Sequence, residues 1–414
     1  MNEADSDSIA GMLDNIGLER TEEDKADIVL YNTCAVREKA EQRMRSELGS
    51  VRMRKEKNPE IKIGILGCAA ESLKEKLEKE EWIDIVQDGK DLDKMKKAVI
   101  QILPDEFEVS QDSFEIHRGG ENSGMIPVIR GCSYMCSYCI VPRTRGLQRS
   151  ISIEKILKDV EVSLDSGSKE IYLLGQNFLS YGRDLPKKTS PEEMISTVHD
   201  SFPELKRIRF LTSHPHDLTK NFLQTMNSLP RVAKYLHLPF QSGSDSVLKA
   251  MRRITTRDTV VKKSEWVREL WPGATLSTDI IVGFPTEKTK DHEETMSLLK
   301  EVKYDFAYSF LYSPRPQTKS YPLGDPVPHK EKVRRLSEIT ELINKIWFKK
   351  NKKYIGKTVE VLAERKEGKK EKRWTGRSEG FHLVHFNSEE NPIGKYLKIK
   401  INETGSTFLG GEIV

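Results

Sequence analysis

The chain has 414 residues, 32% of them charged and 36% in the hydrophobic set, a polar balance that still lies well short of disorder. That length suits two or three domains, no apolar run approaches the roughly 18 residues needed to span a bilayer, and the N-terminus lacks the basic-then-apolar pattern of a signal peptide. Five cysteines, an odd number with three clustered, argue against a disulfide framework and for the reducing cytosol, so a cytoplasmic location is expected.

The first hundred residues predict an α/β unit. Ile9, Met12, Leu13 and Ile16 have the spacing of one helical face. Strands are expected at 27–32, 61–66 and 83–87, with charged helices near 36–56, 70–80 and 91–102, an alternation that implies a parallel sheet. Cys34 and Cys68 each fall just past a strand, on the carboxyl edge where open parallel sheets bind ligands. One cysteine after a strand is ordinarily a small buried hydrophobe; two on the same edge favour a shared site. The pattern opens on a helix, and a strand ahead of Met1, ending on that edge with a third cysteine, is expected.

A polar connector at about 104–122 follows. Apolar, β-rich runs then recur at 126–130, 170–175, 207–212, 235–240, 275–282 and 305–311, separated by helical patterns. Six strand–helix units predict a partial (β/α)6 barrel, open on one side, with its active face at the carboxyl ends of the strands. A basic amphipathic helix near 328–350 leads out. From about 353 short alternating strands predict a small all-β barrel, a fold that often binds single-stranded RNA. Lys352 onward holds 13 Lys/Arg against 9 Asp/Glu, whereas the remainder is neutral. Lys369, Lys370, Lys372, Arg373, Trp374 and Arg377 form a basic run around one aromatic, the pattern of an RNA contact, although charged loops are commonly just solvated.

The most informative feature follows the first barrel strand: Gly131-Cys132-Ser-Tyr-Met-Cys136-Ser-Tyr138-Cys139, a C-x3-C-x2-C loop. Structural zinc and protein-only cubanes normally take four protein ligands. Three thiolates on one loop suit a cluster with one iron left open for a small molecule. The nearest histidine, His117, lies fifteen residues upstream. A zinc site completed from afar and three unrelated core cysteines are the alternatives.

This loop resembles that of the radical S-adenosylmethionine (SAM) enzymes, with Tyr138 at their aromatic position. The resemblance extends over the whole chain to the radical SAM methylthiotransferases of the MiaB type, which act on tRNA. It is carried by Met1-Asn-Glu-Ala-Asp-Ser-Asp, Asn32-Thr-Cys-Ala-Val-Arg37, Gly67-Cys-Ala-Ala-Glu71, Arg130-Gly-Cys, Cys139-Ile-Val-Pro142 and Arg145-Gly146. Downstream it continues in Leu174-Gly-Gln-Asn177, Thr212-Ser-His-Pro215, His237-Leu-Pro-Phe-Gln-Ser-Gly-Ser244, Asp279-Ile-Ile-Val-Gly-Phe-Pro285 and Ser313-Pro-Arg-Pro316.

The resemblance implies three domains: a methylthiotransferase N-terminal domain over 1–103, a radical SAM domain over 122–349 and a TRAM domain over 352–414. It implies a 4Fe-4S cluster on Cys132, Cys136 and Cys139 that reduces SAM, whose amino and carboxylate groups chelate the open iron. It further implies a second 4Fe-4S cluster, with Cys34 and Cys68 matching two of its three cysteines. The family's first cysteine lies just before Met-Asn-x-x-Asp-Ser, off the start of this chain, which leaves two protein ligands here. Gly175, Gln176 and Asn177 occupy the place where such barrels meet the SAM amino group. Arg252 or Arg253, with Arg252 the candidate chosen, would pair with the SAM carboxylate. His214, His237, Asp279 and Glu287 receive no role. Expected partners are a tRNA anticodon stem-loop, an electron donor and a sulfur source. The implied reaction adds a methylthio group to C2 of isopentenyl-adenosine at position 37; threonylcarbamoyl-adenosine and a ribosomal protein are the competing substrates.

Overall fold

The structure, a computed structural model, describes residues 1–35, 38–104, 107, 122–368 and 372–414. His117, most of the connector and the pair Lys369 and Lys370 lie outside the described residues. The N-terminal unit runs α1 (Asn2–Asn15), β1 (Ile28–Asn32), α2 (Glu38–Lys57), β2 (Lys62–Gly67), α3 (Cys68–Ser72), β3 (Ile85–Asp88) and α4 (Leu92–Ile100). Its strands pair in parallel in the order β1-β2-β3, with Val29 opposite Ile63 and Ile65 opposite Val86. Successive strand residues face opposite ways. Leu66 and Ile85 pack on Ile9, Met12, Met95 and Val99 of α1 and α4, while Ile65 packs on Met44 and Leu48 of α2.

Six parallel strands and their crossover helices follow: β4 (Ser123–Pro127), α5 (Ile153–Asp165), β5 (Glu170–Leu174), α6 (Pro191–Ser201), β6 (Arg207–Leu211), α7 (Lys220–Ser228) and β7 (Tyr235–His237). Then come α8 (Asp245–Ala250), α9 (Arg257–Leu270), β8 (Thr275–Val282), α10 (Thr289–Val302) and β9 (Phe306–Leu311). Ser152, Ser190, Thr219 and Thr256 begin four of these helices, each side chain accepting a hydrogen bond from the backbone three residues on. The strands form two parallel triplets, β4-β5-β6 and β7-β8-β9, joined by a bridge between Ile208 and Val232. The outward residues Ile171, Leu173, Ile208, Phe210, Leu276 and Ile280 make the main core with the helices. Burial on both faces gives the continuous apolar strands of a parallel sheet.

The expected first strand is displaced: the ladder covers Ser123–Pro127, and Ile129–Arg130 pairs instead, antiparallel, with Arg149–Ser150. That short pair closes the base of the cysteine loop. α11 (His329–Asn351) packs beside β9 and leads to β10 (Thr358–Lys366), β11 (Arg373–Ser378), β12 (Leu383–Asn387), β13 (Tyr396–Thr404) and β14 (Phe408–Ile413). These close into a barrel in the order β10-β11-β12-β14-β13. It docks on the amino ends of the larger barrel's strands. Arg209 donates to the Ser378 and Glu379 carbonyls, Thr275 to the Gly380 carbonyl, and Phe381 stacks on Tyr235 at 4.5 Å. No described helix is long and apolar enough to cross a membrane.

The basic run near Trp374 needs a correction. Trp374 alternates inward on β11, is buried among Val361, Phe386 and Ile399, and donates to the Ser388 carbonyl at 3.1 Å. It is a core residue of the small barrel and offers no open stacking face. Lys372 and Arg373 pair with Glu389 and Glu367.

Candidate active site

The three-cysteine loop leaves β4 at the carboxyl end of the large barrel. Gly131 makes its first turn at φ +74°, and a Cβ there would lie 2.2 Å from the Leu147 carbonyl oxygen. This closeness lets the Cys132 amide donate to the Gly146 carbonyl at 3.1 Å. Farther along, the Ser137 amide donates to the Met251 carbonyl, its hydroxyl to the Ala250 carbonyl, and its own carbonyl accepts from the Ser320 amide. The loop is thereby tied to the chain after α8 and after β9. Burial pushes the Cys139 thiol up to about 12 and also raises that of Cys132. Buried thiols resist becoming bare anions; a metal that replaces the proton supplies the compensating charge. Among the described residues, no three His, Cys, Asp or Glu side chains converge on the position of a single ion.

Arg253, not Arg252, is the guanidinium at this loop. Arg253 Nη1 lies 3.7 Å from Cys136 Sγ and 3.4 Å from the Tyr138 hydroxyl, and Nη2 donates to the Pro239 carbonyl at 2.6 Å. Its Nε is buried with no partner among the described residues. Arg252 sits at φ +54° and is exposed, because the turn after α8 sends neighbouring residues in different directions.

Gly175, Gln176 and Asn177 follow directly on β5, beside the chain that leaves β6. Asn177 Nδ2 donates to Asp217 at 2.6 Å; the same carboxylate accepts from the Tyr134 hydroxyl and from Arg183, each at 2.7 Å. Tyr134, within the cysteine loop, stacks on His214 with ring centres 4.3 Å apart. Burial, reinforced by Arg253 and His216, pushes the His214 imidazole down to about 2. Its Nδ1 accepts from the His216 amide at 3.2 Å, so the neutral ring carries its proton on Nε2. That Nε2, Gln176 Oε1, Asn177 Oδ1 and Ser213 Oγ are buried without partners among the described residues. Buried polar groups are normally satisfied, and two buried amide acceptors after β5 together with a cationic Arg253 at the cysteine loop suit a zwitterion carrying an ammonium and a carboxylate. The amino-acid end of SAM has that chemistry. Asp217, Tyr134 and Arg183 escaped the sequence reading, since only the fold brings residues 134, 177, 183 and 217 together.

Within the barrel, His237 lies 2.7 Å from Ser277 and 3.2 Å from Asp279. Glu287 is held by Arg335 at 2.7 Å and accepts from the Gly283 amide, which fixes α11 to the barrel.

Cys34 and Cys68 share the carboxyl edge of the N-terminal sheet. Gly67, at φ +85°, makes the turn into Cys68, where a Cβ would meet Asn32 Oδ1 at 2.2 Å. That edge faces the cysteine loop: Ala35 and Cys68 pack on Ile140, the neighbour of Cys139. Beside this contact lies a cavity of about 830 Å³, walled by Ala35, by 71–76, by Ile140 and by Ser313–Gln317. Residues next to Cys34 and next to Cys139 thus line one space.

A parallel half-open barrel with a C-x3-C-x2-C loop at its carboxyl ends defines a radical SAM enzyme, and the chain matches the Radical SAM superfamily over residues 126–299. It also matches Uncharacterized protein family UPF0004 over 1–88 and the TRAM domain over 352–414. It is 39% identical to a tRNA-2-methylthio-N(6)-dimethylallyladenosine synthase of Clostridium botulinum (strain Okra / Type B1), covering 100% of this chain and 94% of that one. A protein of the same name from Dictyoglomus thermophilum is 39% identical over 100% of this chain and 96% of its own. Among solved structures, the radical SAM methyltransferase TsrM from Kitasatospora setae superposes with a TM-score of 0.56 at 12% identity, covering 76% of this chain and 67% of that one, a likeness of fold. The chain belongs to the family of the tRNA-2-methylthio-N(6)-dimethylallyladenosine synthases. Membership implies SAM and a 4Fe-4S cluster as cofactors, and tRNA as the class of substrate.

Proposed function

We propose that the protein adds a methylthio group to C2 of isopentenyl-adenosine at position 37 of tRNA. The observation that best supports this reading is the cavity walled by Ala35, next to Cys34, and by Ile140, next to Cys139, which sets both cysteine edges beside one space. Cys132, Cys136 and Cys139 would hold the 4Fe-4S cluster. When bound, cluster and SAM supply one-electron chemistry able to break an unactivated C–H bond, which side-chain acids and bases cannot do at neutral pH. Arg253 orients the SAM carboxylate, and Gln176 and Asn177 accept from its ammonium. Asp217 fixes Asn177 and ties it to Tyr134 of the cysteine loop, on which His214 stacks. Cys34 and Cys68 contribute to a second cluster that handles sulfur, with electrons and sulfur supplied from outside the chain. The small barrel carries the basic excess toward RNA, by electrostatics and not by stacking on Trp374.

The test is anaerobic reconstitution with iron and sulfide counts, followed by mass analysis of nucleosides from tRNA incubated with SAM and reductant. Methylthio-isopentenyl-adenosine from wild type and none from Cys132→Ala/Cys136→Ala/Cys139→Ala is the expected result. A modified threonylcarbamoyl-adenosine, or no nucleoside change with full iron, sinks it.

A further inference from the structure

The chain around the cysteine loop exposes apolar side chains that the reaction above does not use. Met135 stands between Cys132 and Cys136 and is 49% exposed, although Cys136 itself is buried. Three other segments are hydrogen-bonded to the loop, and each carries exposed apolar groups. Leu147 lies between Gly146, whose carbonyl accepts from the Cys132 amide, and Gln148, whose amide donates to Ser133 Oγ. Ile254 follows Ala250 and Met251, whose carbonyls accept from Ser137. Tyr321 and Leu323 follow Ser320, whose amide donates to the Ser137 carbonyl. These five are drawn from only twelve large hydrophobic residues exposed among the described residues. Exposed apolar residues scattered singly need no explanation, but their gathering on one loop and its supports marks an interaction surface.

The charge of these segments is one-sided. Residues 141–149, 249–254 and 319–324 hold seven Lys or Arg and no Asp or Glu. Arg145 is buried against Asp5, which it shares with Arg130, Arg253 reaches Cys136, and Arg149 reaches Asp91. Arg143, Lys249, Arg252 and Lys319 are exposed and make no ion pair among the described residues. The acids that flank them in sequence are engaged, Asp245 with the Arg257 amide and Asp325 with Lys332. Apolar groups with a rim of one sign fit a partner of the opposite sign. RNA is such a partner, but among the five apolar groups only Tyr321 offers a ring on which a base stacks. Aliphatic side chains, with an adaptable methionine among them, suit a protein surface better.

We infer that this face docks a small acidic electron-carrier protein, with Met135 as the contact nearest the cysteines. This rests on the reading above that Cys132, Cys136 and Cys139 hold the cluster and that electrons come from outside the chain. One electron leaves the carrier, which is oxidised by one, and the cluster on the three cysteines is reduced by one; no bond or proton moves. Arg252 thereby acquires a use that its distance from the SAM-binding groups denied it.

The test measures binding of a plant-type ferredoxin, a low-potential one-electron carrier, to the full chain reconstituted without oxygen. Calorimetry at two salt concentrations gives the affinity, and 5′-deoxyadenosine is counted with either dithionite or reduced ferredoxin as the electron source. Lys249→Glu/Arg252→Glu and Ile254→Ser/Leu323→Ser should keep their iron and their dithionite-driven yield, yet bind ferredoxin about tenfold more weakly and lose ferredoxin-driven product. The wild-type affinity should fall with salt, and the charge variant should lose most of that dependence. Ferredoxin bound equally by all three chains, or not bound by the wild type, overturns the inference. So does a loss of tRNA affinity with ferredoxin binding intact, which gives the face to RNA, and so does a dithionite-driven yield that falls in step with the ferredoxin-driven one. No dithionite-driven product from an iron-loaded wild-type chain sinks the radical SAM reading itself, and this inference with it.

Discussion

Glu170→Gln tests how the small barrel is held. Glu170 is fully buried at the amino end of β5, with Oε1 2.6 Å from Arg209 Nε and Oε2 3.1 Å from Arg207 and 3.2 Å from the Tyr396 hydroxyl. The isosteric amide keeps the shape but removes the anion that two cations share. Arg207 retains Glu360 at 3.2 Å, whereas Arg209 keeps the Ser378 and Glu379 carbonyls and the Tyr172 and Phe381 rings but no carboxylate hydrogen bond among the described residues. Breaking a buried pair by removing one partner costs about 3–5 kcal/mol, while replacing both partners with apolar groups is often neutral. Glu170→Gln is therefore expected to release the small barrel, read as faster proteolysis at 352–357 and a lower urea midpoint. Glu170→Leu/Arg209→Met should recover most of that loss. A single variant costing under ~1 kcal/mol, or a double variant as damaged as the two singles added together, refutes the reasoning.

Other expectations follow from the same geometry. Arg253→Lys should weaken SAM binding by roughly ten- to a hundredfold, the worth of a charged hydrogen bond of about 1.5–3 kcal/mol, in equilibrium dialysis; Arg252→Lys should not. Gly131→Ala must place a Cβ at φ +74° against two carbonyl oxygens, so it should lose cluster iron, while Gly146→Ala at φ +79°, with open space around it, should keep its iron. Equal iron in both variants contradicts the loop geometry. Burial holds the His382 imidazole down to about 4. An unfolded chain takes up that proton near 6.5, so stability present above pH 6.5 is lost as pH falls toward 4, at up to ~1.4 kcal/mol per pH unit. His382→Phe should flatten the fall in urea midpoint between pH 6.5 and 5, and an unchanged slope refutes the assignment.

The strands and helices were legible because their apolar periods differ, two against three to four, and because burial on both faces leaves continuous runs such as Glu170–Leu174. The cysteine loop stood out by its spacing, which on its own left zinc and unrelated core cysteines open; the family resemblance supplied the cluster. The choice between Arg252 and Arg253 was not, since one residue of turn decides which side chain faces the cysteines. Trp374 misled because β-strand parity, not the charge around it, sets whether a side chain points inward. Asp217 and the Asp5–Arg130–Arg145 group were invisible for another reason: their partners lie between 34 and 140 residues away, and only the docking of separate elements brings them together. The docking of the small barrel on the amino ends, opposite the cysteines, left no local signal either.

The most direct measurement is the yield of 5′-deoxyadenosine when anaerobically loaded protein meets SAM and dithionite. The account predicts its formation by the wild-type chain and its absence in Cys132→Ala/Cys136→Ala/Cys139→Ala. No product from a wild-type chain with a full iron complement, or equal product from both, would contradict it.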